Sequence, residues 1–227
     1  MQRKFPMLLS AFVWLASLFP AINYAASSSP DDVPTLAQTV DRHYNQLRTL
    51  QAEFTEIYHG AGMDRTESGT LWLKRPGRMR WEYRTPRQKL FLTDGKNAWF
   101  YLPGQRQARK TSFRKLEDLR SPLGYLLGKT KLEKEFQGLS LAVDVKPLTA
   151  GNRVLRGVPK VMGARITQVL LEVAPGGRID RIVAEDADGA TTEYRFGDQK
   201  EGLPIADQRF RFSPPAGVEM VEGEVGQ

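Results

Sequence analysis

The sequence predicts a mainly β protein with an α lid: a single curved antiparallel sheet of about eleven strands, forming an unclosed β-barrel under an N-terminal helix and short lid helices. Three observations predict this class. Residues 36–50 have a helical apolar period, the chain from Gln51 onward has an apolar period of two with frequent turn signals, and residues 113–128 carry helix signals in the middle of the strands.

The first residues have the pattern of a secretory signal peptide. Met1–Lys4 is cationic, Met7–Leu18 is almost wholly apolar, and small residues cluster at Ala25–Ser27. We therefore expect residues 1–25 to be a cleaved signal peptide and residues 26–227 to form one domain of an exported protein. An uncleaved membrane anchor over Phe5–Ala26 is the alternative, because that stretch nearly spans a bilayer.

The chain contains no cysteine. A disulfide framework is therefore excluded, and the stability of an exported protein must come from packing. A lipid anchor on a cysteine thiol is excluded for the same reason. The formal net charge is +7, and the surface stays basic after removal of Arg3 and Lys4, which favours contact with anionic lipid headgroups or an acidic partner.

The N-terminal helix is predicted over Leu36–Leu50, with Asp32 or Thr35 as its cap. Its apolar residues recur every three or four positions, at Leu36, Val40, Tyr44 and Leu47. The strands that follow alternate apolar and polar residues, so each has one dry and one wet face. The clearest apolar series are Met79/Trp81/Tyr83, Thr192/Tyr194/Phe196 and Phe210/Phe212.

A short apolar helix pair is predicted over residues 113–119 and 121–128. Ser121 is suited to the cap, Pro122 to the first turn and Gly128 to the stop. These helices and the N-terminal one are thin cover for so large an apolar sheet. The sheet therefore either closes and packs solid or leaves an apolar hollow with the helices as a lid. The sequence does not decide whether Ala150–Ala164 forms a long loop or a hairpin.

Catalytic and nucleic-acid functions have little support. The two histidines are isolated and no metal-ligand spacing occurs, so we expect no enzyme activity, metal or cofactor. Cations interleave with aromatics over residues 74–87, as in stacking platforms for bases. A period of two places the cations and the aromatics on opposite faces, however, and export separates the chain from nucleic acid.

Three motifs give the chain a resemblance to a known family. Gly69–Trp81 (GTLWLKRPGRMRW), Asp94–Pro103 (DGKNAWFYLP) and Phe210–Val218 (FRFSPPAGV), with Ser121-Pro122-Leu123 between them, resemble the periplasmic outer-membrane lipoprotein carriers of the LolA family. The resemblance implies an unclosed barrel with a helical lid over a hydrophobic cavity, and a location in the periplasm of a Gram-negative envelope. It implies that the cargo is the acyl chains of lipoproteins, taken from an inner-membrane release complex and handed to an outer-membrane acceptor.

The resemblance also assigns roles to residues. The arginine of its Lys-Arg-Pro motif, here Arg75, is expected to contact the lid helices and control closure. We expect the apolar strand residues to line the cargo cavity: Leu71, Leu73, Met79, Trp81, Tyr83, Trp99, Tyr101, Tyr194 and Phe196. We expect the lid helix to contribute Pro122, Leu123, Leu126 and Leu127. We expect the protein to be a monomer. The alternative function is a LolA-like carrier of another envelope lipid or glycolipid. A lipoprotein-sensing envelope-stress regulator is less favoured, because such proteins usually carry a second domain that 227 residues scarcely accommodate.

Overall fold

A computed structural model describes residues 32–113, 131–161 and 164–223 of the chain. These residues contain two α-helices, α1 (Val33–Gln46) and α2 (Leu132–Glu135), and a 3-10 turn at Asp207–Phe210. The strands are β1 (Thr49–Gly60), β2 (Met63–Lys74), β3 (Arg78–Thr85), β4 (Lys89–Asp94), β5 (Asn97–Tyr101), β6 (Gln107–Ser112), β7 (Phe136–Leu141), β8 (Arg153–Pro159), β9 (Ile166–Val173), β10 (Ile179–Asp186), β11 (Thr191–Glu201) and β12 (Glu219–Glu222).

All these strands belong to one sheet, in the order β12-β6-β5-β4-β3-β2-β1-β11-β10-β9-β8-β7. Neighbours pair antiparallel except β12, which pairs parallel with β6. The prediction of a single unclosed sheet is confirmed, with one strand more than the predicted number. The prediction of a strand through Phe210 and Phe212 was wrong. Phe210 ends the 3-10 turn, and it is only 1% exposed because it packs with Trp72 and Ile205.

Helix α1 begins and ends earlier than its apolar period predicts. Pro34 occupies the first turn, where its missing N–H costs nothing. The chain leaves the helix after Gln46 because Thr49 and Leu50 already pair with β2. Leu36, Ala37, Val40 and Tyr44 are buried, so the predicted apolar stripe of the helix does face the core.

Side chains of β7 to β11 form the floor on which α1 packs. The core cluster joins the buried residues of α1 to Leu155, Leu171, Ile179 and Ile182. The Tyr44 hydroxyl accepts a hydrogen bond from the backbone N–H of Ile179 at 3.0 Å, and the Leu132 N–H donates to Asp41 at 3.2 Å. The helix is thus fixed to the sheet at one end of its apolar face and to α2 along its side.

The opposite face of β2 to β5 is covered by the C-terminal part of the chain. Ile205 and Phe210 pack on Trp72, and Phe212 stacks on Trp99 with ring centroids 6.2 Å apart. Each face of this half of the sheet therefore has its own apolar layer.

The segment Ala150–Ala164, whose structure the sequence did not decide, contains strand β8, so it is neither wholly loop nor an isolated hairpin. The loop before it, residues 142–152, is organised by Glu172, whose side chain is fully buried. The carboxylate accepts from the N–H groups of Leu148 and Thr149 at 3.0 Å and from Arg181 Nε at 2.9 Å. Such a dense set of donors fixes the loop on the outer face of β9.

Candidate functional site: the inner face of the sheet

The face of the sheet below α1 is built from four rows of side chains that run across the strands. Strand registers place Thr93, Met79, Leu73 and Leu50 in the first row; Phe91, Trp81, Leu71 and Ala52 in the second; Lys89, Tyr83, Gly69, Phe54 and Phe196 in the third; and Glu67, Glu56, Tyr194 and Ile182 in the fourth. Apart from Thr93, the first two rows are apolar, and so is most of the third, as the alternation of the strands predicts.

An aromatic cluster fills the middle of this face. Phe54 meets Trp81 and Tyr83 edge to face, with ring centroids 4.6 and 4.8 Å apart. Tyr194 and Phe196 contact the same indole from β11, at 5.8 and 6.4 Å. The five rings, most of them packed edge to face, form a largely buried apolar cluster.

Gly69 makes room for this cluster. A Cβ at this position would lie 1.9 Å from the carbonyl oxygen of Glu82 and 2.9 Å from the Phe54 ring. The register of β2 and β3 shifts between Ser68 and Gly69, so the backbone is irregular at the same point. Only glycine allows β3 and the Phe54 ring to approach β2 this closely.

The fourth row brings charges onto the apolar face. Glu56 and Glu67 lie directly opposite each other on β1 and β2, with side chains only 9% and 5% exposed. Arg65 bridges both carboxylates, at 3.6 and 3.2 Å, and Lys89 pairs with Glu67. We call Glu56 and Glu67, together with Lys89 from the third row and Arg65 from the next row beyond, the charged row; its two carboxylates match its two cations.

The two tyrosines beside the charged row remain neutral. The Tyr83 hydroxyl donates to Glu56 at 2.7 Å, and the Lys89 ammonium lies 4.1 Å from the centre of the Tyr83 ring. Burial raises the pKa of Tyr83 and of Tyr194 above the ordinary value, and the Glu56 carboxylate raises both further. Their hydroxyls therefore act as hydrogen-bonding groups and not as anions.

Arg75 lies at the opposite end of this face, where α1 ends. Its guanidinium donates to the carbonyl oxygens of Asn45, at 3.0 Å, and of Tyr44. Burial lowers the pKa of Arg75, but the group stays cationic. Sequence reasoning assigned this arginine to the lid helices; within the described residues its partner is the C-terminal turn of α1, and residues 121–128 lie outside them.

The predicted cargo-lining set divides into two groups. Leu71, Leu73, Met79, Trp81, Tyr83, Tyr194 and Phe196 share the inner face. Trp99 and Tyr101 do not: the register pairs Trp99 with Leu92, and both aromatics contact Phe212 on the outer face. Their assignment to the cavity was wrong because the phase of alternation in β5 cannot be read without its partners. Pro122, Leu123, Leu126 and Leu127 lie outside the described residues.

Sequence reasoning missed Phe54, which is 2% exposed and contacts the rings of Trp81 and Tyr83. The alternation Leu50, Ala52, Phe54 on β1 would have revealed it, but Glu56 and Tyr58 continue the same face with polar atoms. That interruption was itself the signal of the charged row.

The arginine-rich outer face of β3 is largely neutralised by the chain itself. Arg78 pairs with Asp207 at 2.7 Å, Arg80 pairs with Glu82, and Arg84 pairs with Glu53. The Arg209 guanidinium lies 4.4 Å over the Trp72 ring on this same face. The sequence predicted that these cations contact an anionic membrane surface; in the structure some of them instead hold the C-terminal segment.

Two concavities lie at the margins of this face, and Phe196 of the aromatic cluster lines the first of them. A cleft of about 410 Å³ beside the 142–152 loop is lined largely by ion-paired groups such as Arg178 and Asp180, and a shallow depression lies between Leu47, Leu50, Leu73 and Arg75. In the described ranges no group of acidic and histidine side chains is placed to hold a metal ion. The helices of those ranges are too short or too polar to cross a bilayer.

Comparison with known proteins gives a consistent result. The sequence model of the family described as "Outer membrane lipoprotein carrier protein LolA" matches residues 45–213. An outer-membrane lipoprotein carrier protein of Nitrosospira multiformis is 29% identical over 179 residues, which cover 77% of this chain and 82% of that protein. One from Methylococcus capsulatus is 29% identical over 217 residues, covering 94% and 99%.

Among solved structures, an uncharacterised conserved protein of Thermus thermophilus superposes with a TM-score of 0.54 at 14% identity. The match covers 83% of this chain and 97% of the other. At this identity the likeness concerns the fold alone: a curved sheet of the same architecture.

Proposed function

This chain belongs to the LolA family of outer-membrane lipoprotein carriers, and on that premise we propose that its inner sheet face shelters the acyl chains of lipoproteins during passage from the inner to the outer membrane. The observation that carries the proposal is the aromatic cluster in the middle of an unclosed sheet. Membership of the family was predicted from the sequence, and it is confirmed.

The need for such a face follows from transfer energies. Each methylene group exposed to water costs about 0.8 kcal/mol, so an acylated protein does not cross an aqueous space unaided. Apolar side chains on one face of an open sheet remove that cost, provided that they can move aside. Met79 supports this role because its unbranched thioether adapts to irregular chains.

Release has to remain possible, and the open sheet supports it. The order of the strands ends in β12 on one side and β7 on the other, so the sheet opens by changing its curvature without breaking a closed ring of hydrogen bonds. Donor and acceptor are then an inner-membrane release complex and an outer-membrane acceptor. An anionic membrane surface is a further proposed contact of the basic chain, tested by the salt dependence of binding to anionic vesicles.

The test is native mass spectrometry of the protein purified from its own periplasm. We expect a fraction to carry an acylated polypeptide. Free phospholipid or glycolipid in its place would support the alternative, a carrier of another envelope lipid.

A matched pair of substitutions assigns the bound cargo to the inner face. Met79→Gln keeps the side-chain length and introduces a polar amide, so the bound fraction should fall. Met220→Gln makes the same change on β12, where the methionine is 36% exposed, and should leave the bound fraction unchanged. Equal cargo in the two variants would contradict the proposed lining.

A further inference from the structure

Shelter of acyl chains on an apolar sheet face does not by itself require the charged row. Its carboxylates lie on the same face as the aromatic cluster, one row beyond Phe54 and Tyr83, and they are nearly buried. Two acidic side chains directly opposite each other in a sheet repel. Arg65 and Lys89 remove that repulsion, so the row is a compact band of two carboxylate and two cationic side chains across β1, β2 and β4.

A hydrocarbon tail gains nothing by covering this band. A tail laid over it would strip the remaining water from four ions and return no hydrogen bond. The first two rows, in contrast, carry Leu50, Leu71, Leu73, Met79 and Trp81, which pack in the apolar core, so a tail that displaces their present neighbours gains apolar contacts there. The favourable surface for a tail therefore ends at the third row.

The opposite end of the face suits a polar headgroup. There the shallow depression beside Leu50 and Leu73 is rimmed by Arg48, Lys74 and Arg75. Lys74 pairs with Asp207 and Arg75 donates to the last turn of α1, so it is the exposed Arg48 that is placed to meet the ester and carbonyl oxygens at the start of an acyl chain. A tail entering at this end would run along the strands toward the charged row.

The distances agree with this orientation. Leu73 and Glu67 are six residues apart on β2, which corresponds to about 20 Å of extended strand. A lipid tail occupies about half of a hydrocarbon core that is roughly 30 Å thick, or about 15 Å. A tail that begins near Leu73 thus ends at Tyr83 and Phe54, just before the charged row.

We propose that the charged row is an end stop that sets the longest acyl tail that this face accepts. The inference rests on the proposed function and goes beyond it, since it names the residues that select among tails. Glu67 and Lys89 are specificity-determining residues in this account, and the aromatic third row receives the methyl end of the tail.

The test uses peptides with one saturated N-terminal acyl tail, in a series from about ten to about twenty carbons, titrated into the full mature chain. Affinity should rise about fourfold with each added methylene until the tail reaches the charged row, and then stop rising. In the Glu67→Leu/Lys89→Leu variant the rise should continue for several further methylenes. This change removes one ion pair with no net change in charge, and Arg65 keeps Glu56 as its partner.

The control makes the same change on the opposite face. Glu53→Leu/Arg84→Leu removes an ion pair from the outer side of β1 and β3 and should leave the break at the wild-type length. An unchanged break in Glu67→Leu/Lys89→Leu would overturn the end stop while leaving the carrier function intact. Absence of binding at every length in all three proteins would overturn the proposed function itself.

A second measurement needs no variant. A tail of the limiting length with a diazirine on its terminal carbon should, on irradiation of the wild-type complex, label Phe54 or Tyr83. Labelling of Leu73 or Met79 instead would show the reverse orientation and overturn the inference.

Discussion

Removal of the Arg75 side chain should loosen the last turn of α1 without unfolding the sheet. The carbonyls of Tyr44 and Asn45 lie in that turn, where helical carbonyls lack intrahelical donors. A hydrogen bond from a charged group contributes about 1.5–3 kcal/mol, and a cation at a helix C-terminus about 0.3–1 kcal/mol. Arg75 is only partly buried, so we expect the lower part of this range, about 2 kcal/mol in total for Arg75→Leu.

Hydrogen exchange followed by mass spectrometry measures this effect locally. A loss of about 2 kcal/mol raises the open fraction of the turn about 30-fold, so amides near residues 43–47 should exchange faster by that factor. Exchange in β9 and β10 should be unchanged. Arg75→Lys keeps the charge but not the two-pronged donor, and should have an intermediate effect.

The matched control is Arg48→Leu, which removes an exposed cation at the same end of the helix. If Arg75→Leu and Arg48→Leu changed exchange equally, the effect would be one of general charge and not of the two hydrogen bonds. Unchanged exchange in Arg75→Leu would refute the assignment of Arg75 to α1. Because α1 borders the opening at Leu50 and Leu73, Arg75→Leu should also change the rate of cargo release.

Three further predictions concern the packing that holds the sheet. Glu172→Gln should lower the free energy of unfolding by about 3 kcal/mol in urea denaturation, because Arg181 stays buried without a counter-ion, whereas Asp144→Asn on the exposed part of the same loop should change it by less than about 0.5 kcal/mol. Burial alone would raise the pKa of Glu172, but the N–H donors and Arg181 lower it overall. The stability that the Glu172 carboxylate contributes is therefore full above the ordinary pKa of glutamate and is lost as pH falls through the pKa of the folded protein. The free energy of unfolding of Glu172→Gln should lack this pH dependence. Tyr44→Phe should cost about 1–3 kcal/mol in thermal denaturation, since the buried N–H of Ile179 loses its acceptor, and no loss would mean that this N–H finds another partner.

The sheet could be predicted from the sequence because its signals are local. Alternation at Met79, Trp81 and Tyr83 fixes which side chains share a face, and turn residues such as Asp94-Gly95 fix where strands end. The amphipathic period of α1 likewise predicts its buried stripe.

What failed depended on partners distant in the chain. Trp99 alternates as cleanly as Trp81, yet only the register through β4 shows that the two lie on opposite faces. Phe210 has strand-like neighbours, but contact with Trp72 and Ile205 holds it in a 3-10 turn. Tertiary packing decides such cases, and a local pattern cannot reveal it.

The charged row was hidden for a similar reason. Glu56, Glu67 and Lys89 belong to three strands and are unremarkable singly in the sequence. They become a feature only when pairing brings them together beside the aromatic cluster.

Photocrosslinking tests most directly the central claim, that acyl chains lie on the inner face. The photoreactive residue p-benzoylphenylalanine would replace Tyr83 on the inner face in one variant and Tyr101 on the outer face in another, both close in shape to the original ring. With a lipoprotein labelled in its acyl chains, the account predicts a labelled adduct at residue 83 and none at residue 101. Equal adducts at both positions, or an adduct at residue 101 alone, would contradict it.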